Sequence, residues 1–177
     1  MATIHITKGH NIKISGNPEK KVSTLACPDL IKIIPDNYES IKPKLLVKEG
    51  DRVRIGDKLF LDKNNPSVLF CSHVSGVIKS IKLGNRRKIE EIEITCENND
   101  SSISKPELDI NKSSVEDIKK VLLESGLWPS IRQRPFSKIA NPSVLPKSIF
   151  VTAMPTAPFS LDLNFVLNGE NKSIKKG

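Results

Sequence analysis

Between Lys44 and Leu83 the chain places two Gly-Asp turns and a Ser-Gly turn between short apolar runs, and no other feature limits its possible folds as tightly. Glu49-Gly50-Asp51 and Gly56-Asp57 supply residues that tolerate positive φ or bond their own backbone in turns. Leu45, Val47, Val53, Ile55, Leu59, Leu61, Val68, Phe70 and Val74 supply inward positions at near period two. The pattern predicts a small, tightly turned β-domain from Asp29 to Cys96, with Val53, Leu59, Val68, Val74 and Val77 inside and Ile89, Ile92 and Ile94 on a closing strand. The fold class expected is mainly β with α+β.

Around that module, alternation of Ile4, Ile6, Ile12 and Ile14 about Gly9 predicts an N-terminal hairpin, followed by a connector that ends at residue 28. Residues 97–112 read as a linker rich in Asn, Asp and Ser. A helix and elbow are expected over 113–147. Ser113 with Glu116 fits a capping box, Val115, Ile118, Val121 and Leu122 form an apolar stripe, and Gly126 stops the helix. Pro135 and Pro142 deny regular structure to the elbow, and residues 148–153 are expected to form a buried strand feeding a loop with Pro155 and Pro158.

Composition removes several functions. The longest apolar runs, such as Ile149-Phe150-Val151, fall far short of the roughly 20 residues needed to cross a bilayer as a helix. Met1-Ala2-Thr3-Ile4-His5 runs into the alternating pattern without a charged start and long apolar core, so a secretory signal is not expected and the location read from it is cytoplasmic. Cys27, Cys71 and Cys96 form no C-x-x-C pair and are too few for a four-cysteine iron–sulfur site, and His5, His10 and His73 are isolated. No G-x-G-x-x-G turn is present for a nicotinamide or flavin, and no nucleophile with its base is identifiable. A formal charge of +8 invites nucleic acid, but the lysines are spread along the chain and only Arg86-Arg87-Lys88 is a compact triplet. One Trp and one Tyr make no stacking platform. The chain reads as a non-catalytic scaffold or binding subunit that binds no cofactor or metal of its own.

The phrase V-x-EGD-x-V-x-x-GD-x-L, followed by S-x-x-SG-x-V-x-x-I, resembles the biotinyl/lipoyl-type barrel-sandwich hybrid over Leu46–Ile81. A carrier of that type would attach its cofactor at Lys63, after Asp62. Asn64-Asn65-Pro66 reads as a longer, stiffer loop than a ligase recognises. A wider resemblance rests on Ser125-Gly126-Leu127-Trp128, on Ile131-Arg132-Gln133-Arg134-Pro135-Phe136-Ser137-Lys138 and on Ile149-Phe150-Val151-Thr152-Ala153-Met154. Lys8-Gly9, Ile14-x-Gly16-x-Pro18, Asp62 to Pro66 and Gly84-Asn85-Arg86-Arg87 extend it. Together these resemble the N-terminal portion of the A subunit of the sodium-translocating NADH:quinone reductases, which implies a barrel-sandwich hybrid followed by a helix and, over 148–177, the start of a truncated α/β domain opened by the strand at 148–153. The C subunit of the Rnf electron-transport complex has a similar barrel-sandwich module but is less like the SGLW and RPFSK segments.

The resemblance implies a peripheral subunit on the cytoplasmic face of a bacterial inner membrane, in a complex that oxidises NADH, reduces quinone and exports sodium ions. NADH, flavins and iron–sulfur centres would lie in partner subunits. Trp128, Arg132, Arg134, Pro135 and Phe136 are the candidate quinone-binding or interface residues. Two aromatics and two cations would enclose a planar quinone head. The alternative, which is favoured, has Trp128 and Phe136 packing between domains while the arginines bind acidic groups or helix ends.

Overall fold

The computed structural model describes residues 8, 12–26, 28–97, 101–104, 108–109, 111–152 and 157–167. The chain divides into two units, one of residues 26–145 and one combining 1–25 with 146–177.

The core of the larger unit is built from two antiparallel sheets. Strands β1 (Leu30–Ile33), β7 (Ile89–Cys96), β6 (Gly76–Leu83) and β3 (Arg52–Val53) form the first in that spatial order. Strands β2 (Pro43–Leu45), β4 (Lys58–Asp62) and β5 (Asn65–Cys71) form the second. Val53, Ile78, Ile89, Ile92 and Ile94 from one sheet meet Leu59, Phe60, Val68 and Phe70 from the other in a single buried core. Phe60 stacks on Phe70 with centroids 4.4 Å apart, and Tyr38 meets Phe70 edge-on at 4.6 Å, the two arrangements a ring quadrupole favours.

The Gly-Asp turns do the predicted work. Gly50 (φ +86°) and Gly56 (φ +92°) take the left-handed conformation that glycine adopts without penalty. Asp51 Oδ2 accepts from Lys48 N–H at 2.9 Å and Asp57 Oδ2 from Arg54 N–H at 2.7 Å, each carboxylate closing its own turn. The first turn then lies along β6: Gly50 N–H donates to Ile78 O and Ile81 N–H donates to Glu49 Oε1.

Strict alternation fails where the strand pairing shifts register. Pairing of β4 with β5 skips Leu59, so Leu59 and Phe60 are both buried and Leu61 is only half-buried. Pairing of β6 with β7 skips Lys79 and Glu90, which puts Ile89 on the same face as Ile92 and Ile94. In β6 Gly76 and Ile78 are buried; Val77, expected inside, is half-buried, as is Val74. Strand β7, expected from Ile89, Ile92 and Ile94, is formed and lies between β6 and β1, with Ile31 opposite Ile94.

Helix α1 (Val115–Glu124) starts one residue later than expected. Its cap is Ser114, whose Oγ accepts from Asp117 N–H at 3.1 Å while Asp117 Oδ2 accepts from Ser114 N–H. Hydrogen bonding by Ser114 also holds the Asp117 carboxyl below its ordinary range. Val115 is exposed, and Leu123 joins the packing against the core instead. Gly126 (φ +73°) ends the helix, and a Cβ there would lie 2.8 Å from Cys71 Sγ, so the turn after the helix presses on β5. Part of the expected linker is also bound: Ile55 N–H donates to Ser101 O and Ile103 N–H to Ile55 O, extending the β-domain by a parallel bridge.

In the smaller unit the described residues are largely irregular. The expected hairpin over 3–16 falls mostly outside them, and Ile12 and Ile14 lie exposed in irregular backbone. The expected buried strand from residue 148 is not formed among the described residues. Ile149, Phe150 and Val151 are 77%, 87% and 88% exposed, and no backbone ladder joins them to another described segment, without which extended chain is not a strand. Met154 and Ala153 lie outside the described residues. A short helix, α2 (Leu163–Val166), is capped by Asp162, whose carboxyl is drawn below its ordinary range by the Lys20 ammonium 2.8 Å away.

Candidate functional site: the elbow hairpin

The elbow is more regular than its prolines predict. Trp128-Pro129-Ser130 makes one 3-10 turn, after which β8 (Arg132–Gln133) pairs with β9 (Lys138–Ile139). Pro135 therefore sits in the tip, where its missing N–H and fixed φ fit a turn, and the Arg134-Pro135 peptide is cis. Ser137 takes positive φ (+52°) at the end of the same turn.

The candidate residues separate into a root and a tip. Trp128 packs against the hydrophobic core and its Nε1–H donates to Ala140 O at 2.8 Å, which fixes the base of the hairpin. Ala140 N–H in turn donates to Ile131 O. Arg132, Arg134, Pro135 and Phe136 are all exposed, Phe136 at 72%. Arg132 donates to Ser137 O at 3.4 Å, and the Lys138 ammonium stands 5.9 Å from the Phe136 ring centroid, within cation–π range. Neither arginine has a carboxylate partner among the described residues. The hairpin thus presents three cations and one ring to solvent. Chemically, that set offers N–H donors to an anion and a ring face to a planar group, and it holds no acid–base pair for covalent chemistry.

Lys63, the candidate carrier residue, occupies a tighter turn than the sequence predicts. Asp62 pairs with Asn65, so Lys63 and Asn64 alone form the loop between β4 and β5, and Pro66 lies within β5. Asp62 is buried and accepts from Lys42 N–H at 2.9 Å and Asn64 N–H at 3.0 Å; those bonds let the chain reverse in two residues. Asn65 and Pro66, expected in the loop, instead open β5, an edge strand in whose first residues proline is tolerated.

Cys71 is buried with its Sγ against Glu124 O, and Cys96 is half-buried. Cys27, His5 and His10 lie outside the described residues, and among the described residues no three His, Cys, Asp or Glu side chains cluster as metal ligands. No helix of the described residues is long and apolar enough to cross a membrane.

Two facing sheets joined by Gly-Asp turns, with a helix and a hairpin after them, define a barrel-sandwich hybrid followed by the opening of an α/β domain. Residues 4–97 match the NqrA N-terminal barrel-sandwich hybrid domain, and residues 113–177 match the NqrA second alpha/beta domain. The chain belongs to the NqrA family. It is 34% identical over 176 residues to the A subunit of the Na(+)-translocating NADH-quinone reductase of Pseudomonas aeruginosa strain UCBPP-PA14, a match covering 98% of this chain and 40% of that protein. It is 37% identical over 177 residues to the corresponding A subunit of Neisseria meningitidis serogroup B, covering 98% and 39%. The Yersinia pseudotuberculosis A subunit is 34% identical over 176 residues, covering 98% and 39%. The chain thus spans about two fifths of the length of the curated relatives it matches.

Proposed function

We propose that this chain serves as the N-terminal portion of the A subunit in a complex that oxidises NADH, reduces quinone and exports sodium ions. It would sit peripherally at the cytoplasmic face of a bacterial inner membrane. The match across 98% of the chain to three such A subunits supports that reading. NADH, flavins and iron–sulfur centres belong in partner subunits under this proposal. The chain supplies a rigid module over 29–96, then a linker over 97–112, then the helix and elbow over 113–147.

Within it, the elbow hairpin is the contact element. The observation that carries this is the exposure of Arg132, Arg134 and Phe136 at the tip of a hairpin whose root is locked by Trp128. A phenyl ring at 72% exposure, flanked by guanidiniums that no described carboxylate neutralises, gains by being covered with an apolar, acidic surface. The reading in which these residues bind quinone uses the same chemistry, since guanidinium N–H groups donate to quinone carbonyls.

Arg134→Ala and Phe136→Ala separate the two. In an interface, the substitutions reduce recovery of the assembled complex, with about 2–5 kcal/mol lost where a buried arginine is taken from its partner. At a quinone site, assembly is intact and quinone affinity falls. Wild-type behaviour in both assays removes the elbow from the functional sites.

A further inference from the structure

The two sheets of the larger unit carry their charges differently. On the first sheet Lys32 pairs with Glu91 and Glu93, Lys82 with Glu90 and Arg52 with Glu97, and only Lys79 of its basic strand residues lacks such a partner among the described residues. On the second sheet the core takes Ile41, Leu45 and Val47, which leaves the intervening Lys42 and Lys44 on the outer face. Lys44 stands opposite Leu61 and Leu61 opposite Leu69, while Lys58 stands opposite Cys71. One step beyond the Pro43–Asp62 pair, Lys63 N–H donates to Lys42 O, so two lysines are cross-strand neighbours at one end of the sheet.

Helix α1 packs along β5 on this face and adds Lys119 and Lys120, which line one cleft with Lys58 and Leu69. Lys42, Lys44, Lys58, Lys63, Lys119 and Lys120 have no ion pair among the described residues. The strands give the face no exposed carboxylate, because Asp62, the acidic residue they contain, is buried in the turn between β4 and β5. Glu116 and Glu124 line the helix side of the cleft, and Asp57, beside Lys58, is engaged by Arg54. Like charges facing across strands destabilise a sheet, so the lysine excess works against the fold and is relieved only by anions from outside it.

From this we infer that the outer face of the second sheet, together with α1, rests on an anionic lipid surface. The inference rests on the peripheral location proposed above and names the face that meets the bilayer. These lysines reach the roughly four to eight cations that hold a polybasic surface at an anionic membrane. Residue type, more than number, selects lipid. The unpaired cations of this face are all lysine, whereas protein interfaces enrich arginine and aromatic residues and are depleted in lysine. Nucleic acid is gripped by arginine forks and stacked rings. Lysine is a flexible, strongly hydrated point charge that needs no fixed partner geometry, which suits mobile headgroups. Leu61 and Leu69 on the same face are half-buried, so the face lies against headgroups without inserting side chains among acyl chains.

The test sediments the full chain with vesicles of equal parts phosphatidylglycerol and phosphatidylcholine, and with pure phosphatidylcholine vesicles beside them, and titrates it with a hexaglutamate peptide and duplex DNA. One variant carries Lys42→Gln, Lys44→Gln and Lys63→Gln, and a second Lys58→Gln, Lys119→Gln and Lys120→Gln, so that either carries the test if the other fails to fold. A third, matched in net charge, replaces the ion-paired Lys82, Lys88 and Lys112 by Gln. The expected result is binding to the anionic vesicles alone that weakens with added salt, falls about fivefold or more in each of the first two variants and changes less than about twofold in the third, with thermal unfolding preserved. No binding to anionic vesicles, equal binding to neutral vesicles, or an equal loss in the third variant overturns the inference. So does lysine-dependent binding to the peptide or DNA that exceeds binding to the vesicles. The subunit reading is tested on other ground, by recovery of the chain with the assembled complex, so either can fail without the other.

Discussion

Lys32 on β1 and Glu93 on β7 stand directly opposite in the antiparallel register, and the ammonium lies 2.9 Å from the Glu93 carboxylate. The same ammonium reaches Glu91 at 2.8 Å, while Ser80 Oγ donates to Glu93 from the other side. Hydrogen bonding from Lys32, then from Ser80, holds the Glu93 carboxyl down at about 2, and the Glu91 and Glu93 carboxylates raise the Lys32 pKa.

A depressed carboxyl binds fewer protons in the folded state than in the unfolded chain. Its stabilising contribution is therefore complete above the unfolded value of 4.5 and is lost as pH falls toward about 2. Thermal unfolding followed between those limits should show wild type losing stability faster than Glu93→Gln. Parallel curves for the two proteins would contradict the assignment.

Leu59 is fully buried in a position created by the β4 bulge, while Lys63 is exposed at a hairpin tip. Leu59→Ala should cost about 2–5 kcal/mol in urea unfolding, and Lys63→Ala under about 0.5 kcal/mol. Comparable losses at the two positions would show that the β-domain has been assigned wrongly.

Asp62 is the buried carboxylate that closes that hairpin. Asp62→Ala leaves the N–H groups of Lys42 and Asn64 without their acceptor, and a loss of about 1–3 kcal/mol is expected from the same measurement. Asp62→Asn, which keeps an acceptor oxygen, should recover a substantial part. If Asn is no better than Ala, the hydrogen bonds are not the source of the effect.

Gly76 admits no side chain. It is buried in β6, and a Cβ would lie 2.0 Å from the Thr95 carbonyl of the neighbouring strand, a clash with backbone that no rotamer relieves. Gly76→Ala should cost more than about 4 kcal/mol, seen as loss of the cooperative unfolding transition.

Lys63 occupies a two-residue tip of the kind a ligase would reach, so the carrier reading has a direct check. The intact mass of the chain isolated from its own host should equal the mass of the unmodified sequence. A lipoyl or biotinyl increment at Lys63 would establish the carrier function.

Glycine and aspartate made the β-domain legible, because turns that require positive φ or an Asx bond leave a local signature, seen at Gly50, Gly56, Asp51 and Asp57. The bulges were not legible. Skipping Leu59 or Glu90 depends on what the opposing strand offers, and alternation alone counts Leu61 as inward and overlooks Phe60. Helix α1 was found from its caps, but Ser113-Ser114 offers two adjacent candidates, and Asp117 decided for the second. At the elbow the residue types identified the segment. Its division into a core-packed Trp128 and a solvent-facing tip came from tertiary contacts that residue types do not encode. The Ile149–Val151 run shows the converse limit: apolar composition marks a segment that favours burial, whereas a strand exists only where a neighbour supplies the ladder.

The bridge between Ile55 and residues 101–103 makes the chain after the barrel a short leash. Cys96 leaves the sheet, but the effective anchor for α1 is Ile103, so the span that must be closed to seat the helix on β5 runs only from 104 to 113. Closing a shorter span costs less chain entropy and raises the local concentration of the helix at its seat. Cutting that anchor, for example with proline at Ile103, would leave every contact of α1 with the barrel intact and still loosen the helix, because the loss falls on the polymer that delivers it.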